Sequence, residues 1–116
     1  MKILIVEDEA IPAMVLNNHL KKRGADVIGP VSTGEEAVMK AKEKCPDVIL
    51  MDIRLAGEMD GIEAANKILS EIQTSIIFMS GYMNDTVIER VKDLKSVQYL
   101  HKPLNMGAMD LLLGYA

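Results

Sequence analysis

Five short hydrophobic runs alternate along the chain with stretches in which apolar residues recur every three or four positions. A short apolar run is typical of a buried strand, and the longer spacing is typical of an amphipathic helix. Such regular alternation predicts an α/β fold with parallel strands and helical crossovers on both faces of one sheet. The predicted strands cover residues 3–6, 26–29, 48–51, 76–79 and 97–100.

The length of the chain and the polarity of the strands restrict the shape of this sheet. A closed barrel of eight such units needs roughly 250 residues, whereas this chain has 116, so the sheet must be open. The first, third and fourth runs are wholly apolar, as expected of central strands that are buried on both faces. The second and fifth contain Asp26, Gly29 and Gln98, which suit edge strands. The pattern favours the flavodoxin-like strand order 2-1-3-4-5.

Capping residues mark where most of the predicted helices begin or end. Thr33 and Asp60 are each followed three positions later by a glutamate, the spacing of a capping box. Asn84 and Asn105 stand where the last two helices should begin, and Gly24 stands where the first should end. The last predicted helix is short, so a truncated last helix stays open as an alternative to a complete domain over residues 1–116.

Two further observations concern the helices. Met14, Val15, Leu16 and Leu20 carry the apolar pattern of the first helix. Cys45, which follows the second amphipathic pattern, is expected to be a small core residue. It is the only cysteine, so no internal disulfide can form, and a reducing compartment fits best.

Composition narrows the functional classes. Hydrophobic residues make up 49% and charged residues 26%, which is typical of a soluble globular domain. The net charge of −4 and the lack of a basic patch in the sequence argue against nucleic-acid binding. No apolar run approaches the roughly 20 residues of a membrane span. We therefore expect a cytoplasmic protein of one domain that engages neither membranes nor nucleic acid.

Chemically versatile side chains follow four of the five predicted strands. Glu7 and Asp8 follow the first, Asp52 the third, Ser80 the fourth and Lys102 the fifth. In an open parallel sheet these ends meet near the switch point, where ligands bind. Crowded carboxylates repel one another, and a hard divalent cation such as Mg²⁺ is their natural counter-ion. A carboxylate nucleophile, a metal, an ammonium and a hydroxyl are what phosphoryl transfer to an aspartate requires.

Each of these signals alone has an ordinary structural explanation, as a helix start, a strand-end cap or a surface turn. Their joint occurrence at the ends of the right strands is much harder to explain in that way. The stretches ILIVEDE, DVILMDIRL, DGIEAA, IIFMSGY and YLHKPL resemble the receiver domains of two-component response regulators. The resemblance covers nearly the whole chain and agrees with the fold predicted from the hydrophobic pattern.

The resemblance assigns roles to individual residues. It implies that Asp52 accepts a phosphoryl group from a phosphohistidine. Glu7 and Asp8 would form the acidic pocket for Mg²⁺, with Mn²⁺ as an alternative, and Asp8 would be the direct ligand. Asp52 and the backbone carbonyl of Arg54 would complete the protein ligands.

The resemblance also implies a switch and its readout. Ser80 would be the hydroxyl that moves toward the phosphoryl group, and Tyr99 the aromatic side chain that changes rotamer in response. Lys102 would contact the phosphoryl oxygens, and the bond to Pro103 would be cis. The expected partners are a sensor histidine kinase or a histidine phosphotransfer protein, and an effector at the face of the fourth helix, fifth strand and fifth helix. Phosphorylation-dependent dimerisation is compatible with this scheme, as is slow autodephosphorylation.

Some positions depart from the commonest form of the family. Glu7 stands where aspartate is more frequent, and Ser80 where threonine is. The loop of residues 55–59 lacks the usual proline and is one residue longer. Arg54 and Tyr82 flank the expected phosphoryl site at positions where the family varies, so their bulk and charge could alter the access of water.

Three alternatives remain beside the phospho-accepting switch. A Mg²⁺-dependent phosphatase of the haloacid dehalogenase type would need a second aspartate two residues after the nucleophile, where this chain has Arg54. A phosphorylation-independent interaction module would not need the complete set of polar residues. The chain could also be the receiver of a hybrid histidine kinase. We expect His19 to lie on a solvated helix face, His101 to be structural or exposed, and Lys102 to be an exposed lysine whose loss leaves the fold standing.

Overall fold

The computed structural model describes residues 1–81 and 83–115. It has one parallel sheet with the strand order 2-1-3-4-5, as predicted, and five helices. In chain order the elements are β1 (Lys2–Val6), α1 (Ala10–Lys22), β2 (Asp26–Val31), α2 (Gly34–Lys44), β3 (Val48–Asp52), α3 (Gly61–Glu71), β4 (Ser75–Ser80), α4 (Asp85–Val91), β5 (Val97–His101) and α5 (Met106–Leu113).

The strands are buried in the way their sequences indicate. β1, β3 and β4 are buried along almost their entire length, whereas β2 and β5 are partly exposed at the sheet edges. Val6 pairs with Met51, and Asp52 pairs with Met79 on the next strand. This register brings the carboxyl ends of the three central strands to one level at the same edge of the sheet.

The sheet separates two hydrophobic cores. The first lies under α2, α3 and α4 and has Phe78 and Met51 near its centre. The second lies under α1 and α5 and includes Leu50, Met79 and Met109. Because side chains alternate between the two faces of a strand, consecutive residues of β3 and β4 contribute to opposite cores. Among the described residues, no helix combines the length and apolar character that a membrane span requires.

The apolar residues of α1 are divided between its inner and its outer face. Ala13, Leu16 and Leu20 are buried, but Met14 is 57% exposed and Val15 is 49% exposed. The buried positions follow the spacing of one helical face, so three consecutive apolar residues cannot all lie against the core. The third buried position of this face belongs to the small residue Ala13. The predicted end of the helix is confirmed, since Gly24 follows it with a left-handed φ of 87°.

The predicted core position of Cys45 is wrong, because its side chain is exposed. Cys45 ends α2 in the left-handed conformation, with φ 47°, and its N–H donates to the Ala41 carbonyl. This conformation carries the side chain off the buried face of the helix. The predicted helix starts, in contrast, are confirmed, because each N-cap side chain accepts from the N–H three residues later: Thr33, Asp60, Asn84 and Asn105.

Candidate functional site

The structure brings the five chemically versatile residues together at the carboxyl edge of the sheet. Asp52 is the last residue of β3 and Ser80 the last of β4, while Glu7 and Asp8 follow β1 and Lys102 follows β5. A cavity of about 440 Å³ opens between Asp8, Asp52, Ser80 and Lys102. Asp52, Glu7 and Ser80 are buried, and Asp8 is exposed at its mouth. The cavity therefore opens to solvent beside enclosed carboxylates.

Lys102 connects the acidic residues. Its Nζ donates to Asp52 Oδ2 at 2.9 Å and to the two carboxylate oxygens of Glu7 at 3.1 and 3.3 Å. The Lys102 side chain is 25% exposed, and those of its partners are nearly inaccessible. This differs from the exposed lysine expected from the sequence, because the short turn after β5 directs the side chain across the cavity and not toward solvent. The predicted cis bond to Pro103 is confirmed.

The carboxylates crowd one another strongly enough to perturb Glu7. Burial, followed by the hydrogen bond and the charge of Asp52, raises the pKa of Glu7 to about 7 against the opposing effect of Lys102. The pKa of Lys102 itself is raised, because its two carboxylate partners outweigh the effect of burial. One oxygen from each of Glu7, Asp8 and Asp52 lies within 4.8 Å of the others. An all-oxygen donor set with excess negative charge fits Mg²⁺ or Mn²⁺.

The segment after Asp52 is held against the Asp52 carboxylate. The backbone N–H of Arg54 donates to Asp52 Oδ1 at 3.2 Å, while the Arg54 side chain is exposed beside the cavity. The Arg54 carbonyl remains a predicted metal ligand. Tyr82, the other flanking residue singled out from the sequence, lies outside the described residues. Asp52 therefore has one oxygen held by a backbone amide and the other by an ammonium.

The loop of residues 55–59 is braced by the first turn of α2. Ala56 forms a parallel bridge with Thr33, and the Met59 N–H donates to Glu35 Oε1 at 3.2 Å. Gly57 takes a left-handed φ of 86° in the loop. Sequence reasoning did not identify Glu35, whose position in a helix start offered only a capping explanation. The loop is thus tied to a neighbouring helix.

Ser80 and Tyr99 lie on neighbouring strands at the same edge of the sheet. The Ser80 carbonyl accepts from the Lys102 N–H at 2.8 Å, which fixes the ends of β4 and β5 together. Tyr99 is 40% exposed, and its ring lies over Phe78 with 6.0 Å between centroids and 22° between planes. His101 is exposed, as expected, and lines the same shallow cavity as Tyr99. The tyrosine thus faces outward in this conformation.

The sequence alone did not reveal one buried charged residue that lies away from the cavity. Asp110 of α5 is 5% exposed, and its carboxylate binds His19 Nε2 and Arg23 Nη2, each at 2.8 Å. The hydrogen bond from His19 contributes most to holding the pKa of Asp110 below its usual range. His19 therefore does not lie on a solvated face as predicted. Two features of the sequence could have revealed this cluster. Asp110 is the one acidic residue among the apolar residues of α5, and His19 and Arg23 are four positions apart.

The family model for the response regulator receiver domain matches residues 3–113. The chain is 33% identical over 106 residues to the transcriptional regulatory protein PdtaR of Mycobacterium tuberculosis, which covers 91% of this chain and 51% of that protein. It is 31% identical over 104 residues to the response regulator protein VraR of Staphylococcus aureus, covering 88% of this chain and 49% of VraR. The chain thus spans about half the length of these curated relatives.

A solved structure agrees with these sequence matches. The signal receiver domain of a modulated diguanylate cyclase from Desulfovibrio desulfuricans superimposes with a TM-score of 0.90 at 34% identity. The superposition covers 99% of this chain and 91% of that one. Since the family match, the relatives and the fold all extend over nearly the whole sequence, this chain belongs to the response regulator receiver domains.

Proposed function

We propose that Asp52 accepts a phosphoryl group from a phosphohistidine on a sensor histidine kinase or a histidine phosphotransfer protein. An Asp52 oxygen forms a bond to phosphorus while the phosphorus–nitrogen bond of the donor breaks, and the imidazole leaves. The observation that carries this proposal is the convergence of Glu7, Asp8 and Asp52 within 4.8 Å beside the Lys102 ammonium. The domain is regulatory, and slow autodephosphorylation would return it to the resting state.

Mg²⁺, or Mn²⁺, is the proposed cofactor. Asp8 would be its direct ligand, with Glu7, Asp52 and the Arg54 carbonyl as the other protein groups. The ion would supply positive charge for the carboxylates and for the oxygens of the incoming phosphoryl group. Within the protein, Lys102 supplies a fixed ammonium at the opposite side of the same cavity. Charged hydrogen bonds of this kind are the stronger class, so Lys102 is suited to anchor a phosphoryl oxygen.

The proposed output is a population shift of the face formed by α4, β5 and α5. Ser80 would move toward the phosphoryl group, and Tyr99 would turn inward from its exposed position. The size of the shift is limited by the difference in phosphoryl contacts between the two states. Ile88, Tyr99 and Leu111 are exposed on these elements and could receive an effector or a second phosphorylated copy. We also propose that the kinase and the effector meet this domain in the cytoplasm and that the domain extends over residues 1–116.

Two competing functions have less support. A haloacid-dehalogenase-type phosphatase needs an acid at the position of Arg54, whose side chain is cationic. A phosphorylation-independent interaction module leaves the enclosed acidic cluster and its lysine without a purpose. A receiver module of a hybrid histidine kinase would use the same chemistry in a longer protein. It differs from the proposed phospho-accepting switch only in the domains to which it is joined.

The test is intact-mass measurement after incubation with acetyl phosphate. We expect the gain of one phosphoryl group in the presence of Mg²⁺ or Mn²⁺ and none in EDTA. Asp52→Asn should abolish the gain, whereas Asp93→Asn, a change in an exposed acid at the opposite edge of the sheet, should not. Labelling in EDTA, or undiminished labelling of Asp52→Asn, would refute the proposal.

A further inference from the structure

An ion pair outside the acidic cavity joins α4 to the start of α3. Arg90 Nη1 lies 2.7 Å from Asp60 Oδ2, and Arg90 Nη2 donates to Asp60 Oδ1 at 3.1 Å. The two contacts form a fork between a guanidinium and a carboxylate, which fixes direction as well as distance. No residue of the acidic cavity takes part. The pair is therefore a separate connection between two elements of the fold.

The Asp60 end of this connection is rigidly placed. Asp60 Oδ1 also accepts from the Glu63 N–H at 2.9 Å and so caps α3. The next residue, Gly61, donates its N–H to the Ile53 carbonyl at 2.8 Å. A Cβ at Gly61 would overlap the carbonyl oxygen of Asp52, so the start of α3 rests directly on the backbone of the acceptor residue. Movement of Asp60 relative to Asp52 is therefore small.

The electrostatic state of Asp60 suits a persistent pair. Partial burial acts to raise the pKa of Asp60, but the hydrogen bonds from Arg90 and from the Glu63 N–H outweigh it. The pKa of Asp60 consequently lies below its usual value. The pKa of Arg90 is raised by the same contact. Both groups are charged at neutral pH, and the attraction is present whenever the helices keep this arrangement.

The Arg90 end lies on the least anchored helix of the fold. α4 has seven residues, and Val91 alone among them is buried. Ile88 is half exposed, and Val87 is only partly buried against the core. Segments with few buried apolar contacts open at the lowest free-energy cost. A forked ion pair therefore supplies an unusually large share of what holds α4 in place.

We propose that the Arg90–Asp60 pair is a latch that holds α4 in its resting position and opposes the phosphorylation-driven rearrangement of the α4–β5–α5 face. The effect of the latch on the active state rests on the proposed function, whereas its restraint of α4 in the resting state does not. A contact that stabilises only the resting state lowers the population of the active state. Loss of the latch should therefore favour the active state without any change at Asp52.

The experiment compares Arg90→Met with wild type in two measurements. Methionine keeps an apolar stem on α4 while removing the charge. The first measurement is titration with beryllofluoride and Mg²⁺, a phosphoryl mimic, followed by amide chemical shifts. Since an exposed ion pair is typically worth a few tenths to 1 kcal/mol, the apparent affinity for the mimic should rise by about 1.5- to 5-fold. The second is amide hydrogen exchange over residues 85–91 without the mimic, which should accelerate by a similar factor.

Two variants complete the design. Asp60→Asn keeps an N-cap acceptor for α3 but removes the charge, and it should reproduce both effects of Arg90→Met. Lys42→Met breaks another short interhelical pair, with Glu71 at 2.8 Å between α2 and α3, and should change neither measurement.

The two measurements separate the two proposals. If α4 exchanges faster in Arg90→Met but wild type does not bind the mimic, the latch stands and the proposed function fails. If wild type binds the mimic and Arg90→Met binds it with equal or weaker affinity, the latch is refuted and the proposed function stands. Unchanged exchange in α4 refutes the latch in either case.

Discussion

Lys102 Nζ lies 2.9 Å from Asp52 Oδ2, although fifty positions separate the two residues in the chain. The lysine is three-quarters enclosed, and Glu7 is its second partner. Its removal would leave two buried carboxylates facing each other without a cation. We therefore expect the contact to stabilise the fold when no metal is bound, in addition to the role proposed for Lys102 beside a phosphoryl group.

Replacement of Lys102 tests this dual role. In EDTA at pH 8, Lys102→Met should lose about 2 kcal/mol of unfolding free energy, between the roughly 1 kcal/mol of an exposed pair and the 3–5 kcal/mol of a buried one. Mg²⁺ should restore part of the loss. Urea denaturation measures both, with Lys42→Met as a control that should change little. A variant as stable as wild type in EDTA would show that the contact contributes nothing to folding.

Glu7 should make stability depend on pH in the absence of metal. Its pKa of about 7 in the folded state lies above the ordinary 4.5, so the folded protein holds a proton that the unfolded chain releases. Unfolding free energy should consequently fall as pH rises from about 4.5 to 7, and then level off. Denaturation in EDTA across this range should show the decline, while Glu7→Gln should remove the contribution. Saturating Mg²⁺ should flatten the curve, because the ion favours the ionised carboxylate.

The proposed switch predicts that movement of Ser80 toward the phosphoryl group changes the position of Tyr99. With beryllofluoride and Mg²⁺, amide shifts should change throughout α4 and β5 and not only beside the cavity. Ser80→Ala should still bind the mimic but should reduce the changes in α4, because the hydroxyl that follows the phosphoryl group is gone. Equal changes in wild type and Ser80→Ala would exclude this route.

Asp110 should make α5 sensitive to acid. Hydrogen bonding from His19 and then from Arg23 holds the pKa of Asp110 below its ordinary value of 3.8, so its contribution to stability is present above that value. The contribution should be lost as pH falls through the lower pKa of the folded state. At pH 7, Asp110→Asn should lower the melting temperature, and the decrease should be larger than that caused by Asp93→Asn. The difference between Asp110→Asn and wild type should shrink below pH 4.

The sheet and the position of the cavity were predictable because both depend on strong, local patterns. Apolar runs identify the strands, and parallel strands place their carboxyl ends at one edge. Asp52, Ser80 and Lys102 could thus be grouped before any distance was known. The N-caps were predictable for the same reason, since Thr33 and its partner N–H lie within one helical turn.

Contacts between helix surfaces were not predictable in this way. The pairs Asp60–Arg90 and Asp110–His19 depend on how far each helix is rotated about its axis, and no local pattern encodes that rotation. The same uncertainty applies to α1, whose run of apolar residues admits several inner faces, of which the fold uses the one formed by Ala13, Leu16 and Leu20. Cys45 was misplaced because a single left-handed residue turned it away from its helix face.

The division of the interior by the sheet has a consequence for how the domain could evolve new outputs. α4 rests on the core that contains Phe78, whereas α5 rests on the core that contains Met109. A substitution in one core acts directly on the packing of only one of the two helices that flank β5. We therefore expect the two halves of the proposed effector face to tolerate substitutions separately, so that one helix can be adapted to a new partner while the other keeps its packing.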